Sequence, residues 1–276
     1  MPSGADGIKT VVLVGAGKMG GALLQGWIRM GLDPERITVL EPHPASEIAA
    51  LTSRGLTLNP VRVEPATIIV VAVKPQLAEE VVPRLVPWVG AGTLVASIMA
   101  GRTLAGLERG LPHATAVVRA MPNLPAAIGR GITVAVANAA VTAAQRALVD
   151  RLLTAIGGVE WITEETLLDA VTAVSGSGPA YVFLLAELLA RAGTRAGLPD
   201  GLATRLARAT VAGSGALLDQ SPLAAETLRH NVTSPGGTTA AALEVLMGKE
   251  GLGALLTRAV AAATRRAGEL ADVPSS

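Results

Sequence analysis

Short runs of β-branched and apolar residues alternate with longer stretches of helical periodicity through the first part of the chain. Residues 10–14, 37–41, 67–73, 93–98, 115–121 and 132–137 read as strands, and 158–162 as an edge strand. Residues 18–30, 45–54, 76–86 and 143–155 read as helices between them. Such alternation predicts a parallel sheet with helices on both faces. After about Thr163 the strand pattern stops. Residues 167–174, 179–193, 200–218, 223–229, 239–247 and 251–271 all carry helical periodicity, separated by Gly, Pro or Ser. The expected fold class is therefore α/β, with an α/β domain over residues 1–163 and an all-α domain over residues 164–276. The helical half has few charges and more apolar surface than a monomer buries. Covering it with a second subunit is the simplest solution, and a self-contained bundle the alternative.

Composition narrows the function classes. Half the residues are apolar, yet the chain has only three Trp, one Tyr and one Phe. A nucleic-acid binder that stacks bases on rings is not expected. The net charge is +1 with no long basic run, which argues against nucleic-acid and acidic-membrane partners. There is no cysteine, so disulfides and thiolate nucleophiles are excluded, and no metal site is expected. Residues 1–10 lack the apolar stretch of a signal peptide. The longest uncharged runs, within 85–101 and 170–186, are interrupted by Pro and Gly and fall short of a membrane span. These features predict a soluble cytoplasmic protein.

Gly15-Ala-Gly-Lys-Met-Gly20 fits G-x-G-x-x-G, follows an apolar strand and opens a helix. In that context it predicts a Rossmann-type dinucleotide site with Gly15, Ala16, Gly17, Lys18, Met19 and Gly20 at the cofactor. Glu41 lies 21 positions beyond Gly20, near the spacing of a ribose-binding carboxylate. It favours NADH over NADPH by repelling a 2′-phosphate, while His43 and Arg62 are neighbours that offset its charge. Val73, Lys74 and Pro75 sit where the strand at 67–73 leaves the sheet, on the side that faces ligand. Ala100 and Gly101 follow the next strand and Asn123 the one after. Asn123 is a candidate both for the cofactor and for capping a turn.

Asn231-Val-Thr-Ser-Pro-Gly-Gly-Thr-Thr239 is a tight turn leading into a helix. Free N–H groups at such a helix start attract a carboxylate, although Thr238 and Thr239 also suit simple capping. The chain resembles the β-hydroxyacid dehydrogenases in plan, but Val182 and Ala186 stand where those enzymes carry a catalytic Lys and an Asn. Carbonyl reduction with a Lys acid is thus disfavoured. A protonated imine accepts hydride without a separate acid and needs mainly positioning.

Val73-Lys-Pro-Gln76, Met121-Pro-Asn123, Ser175-Gly-Ser-Gly-Pro-Ala-Tyr181 and Ser234-Pro-Gly-Gly-Thr-Thr239, after the fingerprint, resemble the pyrroline-5-carboxylate reductase family over nearly the whole chain. The resemblance implies a dinucleotide-binding domain followed by a helical dimerisation and substrate-binding domain. It implies that NADPH or NADH passes hydride to C5 of a cyclic imine, giving L-proline. It also implies that N–H groups near Gly237 and Thr238 hold the substrate carboxylate, that Thr239 contacts the ring nitrogen as the catalytic residue, and that Ser234 and Ser175 line the pocket. Family members form homodimers through the helical domain, often assembled further into decamers. Arg62 stands where many members have Asn, and His230 where an acidic residue is usual. A related reductase and a non-catalytic dinucleotide sensor are the competing readings.

Overall fold

Val11–Val14 (β1) is buried residue by residue and lies inside the sheet, third of eight strands. Burial on both faces is why this strand shows no polar alternation. The computed structural model describes residues 8–272; residues 273–276 and residues 1–7, most of the stretch read as lacking a signal peptide, lie outside it. After β1 come Lys18–Arg29 (α1), Ile37–Leu40 (β2), Ser46–Ala49 (α2), Thr57–Leu58 (β3), Ile68–Val71 (β4), Ala78–Val81 (α3), Leu94–Ser97 (β5), Leu104–Glu108 (α4) and Ala116–Met121 (β6). Gly131–Ala137 (β7), Ala143–Thr154 (α5) and Gly157–Trp161 (β8) complete the sheet part. Then follow Leu167–Val171 (α6), Gly178–Arg195 (α7), Asp200–Gln220 (α8), Ala225–Asn231 (α9), Thr238–Leu246 (α10) and Leu252–Asp272 (α11).

The strand order is β3-β2-β1-β4-β5-β6-β7-β8. Every pairing is parallel except β6 with β7, which departs from the expected parallel sheet. The link between those two strands holds only the 3-10 helix Leu124–Ile128, whereas a parallel crossover needs a dozen or more residues. Two further elements escaped the pattern. β3 has just two residues, and α4 has five, opened by Thr103 whose hydroxyl accepts from Gly106 N–H at 3.1 Å. The helix expected at 76–86 is mostly 3-10, because Pro75, Pro83 and Pro87 each remove a donor.

One core layer joins β-strand side chains to Leu23, Leu24 and Trp27 of α1 and to Leu148, Val149, Leu152 and Leu153 of α5. Trp27 is buried with its indole N–H donating to Leu152 O at 2.9 Å. The opposite layer packs Val82, Leu85, Trp88 and Leu107 on the other face. Within that face Arg119 of β6 is only 5 % exposed. Its Nη1 lies 2.8 Å from Glu165 Oε1, and the same oxygen accepts from Leu104 N–H at 2.8 Å. One carboxylate thus ties β6, the start of α4 and the approach to α6 together.

Residues 177–263 form a second compact unit, while residues 8–176 and 264–272 belong to the first. In the second unit α7 and α8 pack closely, with Gly193 against Ala203. Among the described residues α7 buries none. Val182, Phe183, Leu184, Leu185, Leu188 and Leu189 are each 44–59 % exposed. The break expected between the two helical segments narrows to Ser177, which caps α7. A π-helix, Thr172–Gly176, continues α6, and Pro179 falls in the first turn of α7, where its missing N–H is tolerated. The resulting stretch Leu167–Arg195 is long and apolar enough, by length and composition, to cross a membrane, yet only 6 % of its apolar window is buried.

Arg119→Met should lower unfolding stability by about 2–3 kcal/mol, since Glu165 then keeps its charge without its partner. Urea unfolding at fixed protein concentration checks this. A change of about 0.5 kcal/mol or less is the size of an exposed pair and would remove the bridge from the stability of this unit.

Candidate active site

The turn after β1 is built on backbone closeness. Gly15 has φ +88, and its N–H donates to Leu40 O at 2.9 Å. A Cβ there would lie 2.9 Å from the Ala72 carbonyl, just after β4. A Cβ on Gly20 would collide with Gly15 O. Gly17 has nothing within 4 Å on its Cβ side; it caps α1 with no side-chain hydrogen bond, so the first N–H groups of that helix face outward. A turn of this shape, at a helix start and at the carboxyl end of a central parallel strand, is suited to a pyrophosphate. Ala16 is buried, Met19 packs on the core, and Lys18 is exposed.

Glu41 follows β2 directly. Its Oε2 accepts from Ala16 N–H of the turn at 2.9 Å, and Oε1 from His43 N–H at 3.1 Å. Asn59 grips the main chain of the same residue, a partner that sequence reasoning missed. Its Oδ1 accepts from Glu41 N–H at 2.9 Å and its Nδ2 donates to Glu41 O at 2.8 Å.

β1, β4, β5 and β6 are adjacent and parallel, so the residues that follow them emerge along one sheet edge. After β4, Val73 packs inward, Lys74 is exposed and Pro75 starts a 3-10 turn held by Arg102 Nε, which donates to Pro75 O at 2.8 Å. After β5, Ala100 is exposed, and Gly101 has φ +67 with the main chain of Leu270 beside it. After β6, Asn123 Oδ1 accepts from Ile132 N–H at 3.0 Å, closing the link to β7. Asn123 sits at the N-cap of the turn Leu124–Ile128, but its side chain makes no capping hydrogen bond there. Ser175 lies in the π-helix with its hydroxyl donating to Val171 O at 2.9 Å, and the next residue, Gly176, abuts the Met121 side chain. The structure thus brings the 121–123 loop and the Ser175 segment together within one unit.

Ser234, Gly237, Thr238 and Thr239 lie in the second unit. Gly236 has φ +69, and Gly237 N–H donates to Ser234 O at 3.0 Å, closing the turn. That engagement removes the Gly237 N–H from the donors expected for a carboxylate. Gly237 is itself the N-cap of α10, so Thr238 and Thr239 occupy the first two helical positions and cap nothing with their side chains. Their N–H groups precede any intrahelical acceptor. His230 sits on α9 with Nε2 3.9 Å from Glu226 Oε1, both side chains being largely exposed. No acid–base pair meets the start of α10 among these residues, so what this end offers is hydrogen-bond donors and position.

Residues 165–270 match the family model described as pyrroline-5-carboxylate reductase dimerisation, and residues 10–101 match the one described as NADP oxidoreductase, coenzyme F420-dependent. A pyrroline-5-carboxylate reductase of Mycobacterium tuberculosis (strain ATCC 25618 / H37Rv) is 41% identical, covering 97% of this chain and 99% of its own. The Pisum sativum enzyme of that name is 38% identical over 95% of this chain and 96% of its own. Among solved structures, a pyrroline-5-carboxylate reductase from Coxiella burnetii superposes with a TM-score of 0.89 at 33% identity, covering 96% of this chain and all of that one. The Plasmodium falciparum pyrroline carboxylate reductase with NADP bound gives 0.79 at 28% identity, over 97% and 99% of the two chains.

Gly20→Ala should raise the dissociation constant for NAD(P)H at least about tenfold, because a methyl group there displaces the turn at an overpacking cost of about 1–3 kcal/mol. Fluorescence titration of the cofactor checks it. Unchanged affinity would mean that the turn does not hold the nucleotide.

Proposed function

The chain belongs to the pyrroline-5-carboxylate reductase family, and we propose how its residues reduce 1-pyrroline-5-carboxylate to L-proline with NAD(P)H. The cofactor supplies the hydride. The turn from Gly15 to Gly20 and the first N–H groups of α1 receive its pyrophosphate, with Lys74, Ala100 and Gly101 along the same edge. The observation that carries the substrate reading is the start of α10, a helix of nine residues opened by glycine, with no side chain bonded to its first N–H groups among the described residues. The N–H groups of Thr238 and Thr239 hold the substrate carboxylate, favoured by the helix dipole. The Thr239 hydroxyl contacts the ring nitrogen, and Ser234 and Ser175 line the pocket. Positioning suffices because the protonated imine is already an acceptor. Val182 and Ala186 on α7 are consistent with that, since neither can donate a proton.

The helical half, taken from residue 164, carries the dimerisation family's pattern. A second copy covers the apolar face of α7, which makes the membrane reading of the run Leu167–Arg195 unnecessary. Further assembly into decamers and a cytoplasmic location follow from the same family reading. Glu41 tilts cofactor choice toward NADH through its charge at the end of β2.

Thr239→Val should lower kcat about 10- to 100-fold while the cofactor dissociation constant moves less than about twofold, the loss of one hydrogen bond to a charged group. Steady-state kinetics with a parallel binding titration check this, and unchanged turnover removes Thr239 from the site. Glu41→Ala should raise the ratio of kcat/KM for NADPH to that for NADH by about tenfold. An equal loss with both cofactors would mean that Glu41 does not read the ribose.

A further inference from the structure

Asn59 follows the two-residue strand β3 and precedes Pro60. A residue before proline normally stays extended, yet Asn59 has φ +45. Left-handed backbone outside glycine costs free energy and persists only where its surroundings hold it, often near function. Here the holding groups all belong to the β2 end. Asn59 N–H donates to Val39 O at 2.9 Å, and the side-chain amide takes both main-chain groups of Glu41 at 2.9 and 2.8 Å.

The ladder explains why a side chain is needed. β2 pairs with β3 through Thr38 and Val39 only. Beyond Leu58 the chain turns away, and Val61 is fully exposed. Pro60 has no N–H to offer. The Asn59 amide therefore supplies the acceptor and the donor that a continuing strand would bring to Glu41. Glu41 in turn keeps its carboxylate on Ala16 N–H, inside the fingerprint turn.

We propose that Asn59 is a specificity-determining residue of the cofactor site. It touches no reacting atom, and it acts by fixing the Glu41 main chain so that the carboxylate stays at the fingerprint turn, where it disfavours a 2′-phosphate. This rests on the reading of Glu41 given above. The chemistry suits asparagine in two ways. Its amide pairs with N–H and C=O at once, and it tolerates positive φ better than other non-glycine residues.

The test is a double-mutant cycle on the whole enzyme with Asn59→Gly and Glu41→Ala. Glycine accepts φ +45 without strain, so Asn59→Gly deletes the clamp and leaves the backbone free to keep its course. NADH and NADPH kcat/KM are measured for all four proteins, with thermal unfolding as the check on folding. The ratio of NADPH to NADH efficiency should rise about three- to tenfold in Asn59→Gly, the scale of one lost hydrogen bond. In the Glu41→Ala background the same substitution should change the ratio less than about 1.5-fold. Asn59→Asp keeps the acceptor for Glu41 N–H but sets a carboxylate against Glu41 O, and should fall on the same side as Asn59→Gly. If Glu41→Ala shifts the ratio but neither Asn59 variant does, the role of Asn59 is overturned while that of Glu41 stands. If Asn59→Gly shifts the ratio equally in both backgrounds, it does not act through Glu41, and the proposal fails. If Glu41→Ala shifts nothing, the Glu41 reading fails first and takes this one with it.

Discussion

The turn between β1 and α1 leaves no room for a side chain at Gly15 or Gly20, and the whole sheet edge is arranged around that closeness. On one side Gly15 and Ala16 reach β2, through Leu40 O and the Glu41 carboxylate. On the other side Gly15 meets Ala72, the residue after β4. β1 is the first strand to form in sequence and lies between β2 and β4 in space. The chain reverses its direction of winding there, which opens a crevice at the carboxyl ends of the strands. A nucleotide laid along this edge meets turns whose positions are set by neighbouring strands, so little has to be ordered when it binds.

The helical half obeys a different constraint. Its helices cannot bury their own apolar residues, as the exposed row on α7 makes plain. An uncovered surface of that kind asks for lipid or for protein. The match of residues 165–270 to a dimerisation family favours protein. The turn before α10, proposed above to bind substrate, lies inside the same stretch of chain.

Much of the plan was legible in the sequence because it rests on periodic or local signals. β-branched runs marked the central strands, and glycine spacing marked the turn. The antiparallel β6–β7 pair was hidden because pattern alone does not give strand direction; the short link does. The break between the two helical segments was legible from its glycines and proline, but not that it narrows to Ser177, between a π-helix and the first turn of α7. Asn59 with Glu41, and Arg119 with Glu165, left no trace at all. Each is a pair of single polar residues joined across sequence, the first two 18 positions apart and the others 46. The Thr238–Thr239 pair posed the opposite difficulty. Its two meanings, cap or ligand contact, look alike in sequence, and the structure shows only that Gly237 holds the cap position.

The most direct measurement mixes the purified protein with 1-pyrroline-5-carboxylate and NADH or NADPH, follows cofactor absorbance, and identifies the product by chromatography. The expected result is L-proline formed mole for mole with oxidised cofactor. A protein that binds the nucleotide tightly yet oxidises neither form in the presence of the imine would contradict the central claim and leave a dinucleotide-binding protein without this chemistry.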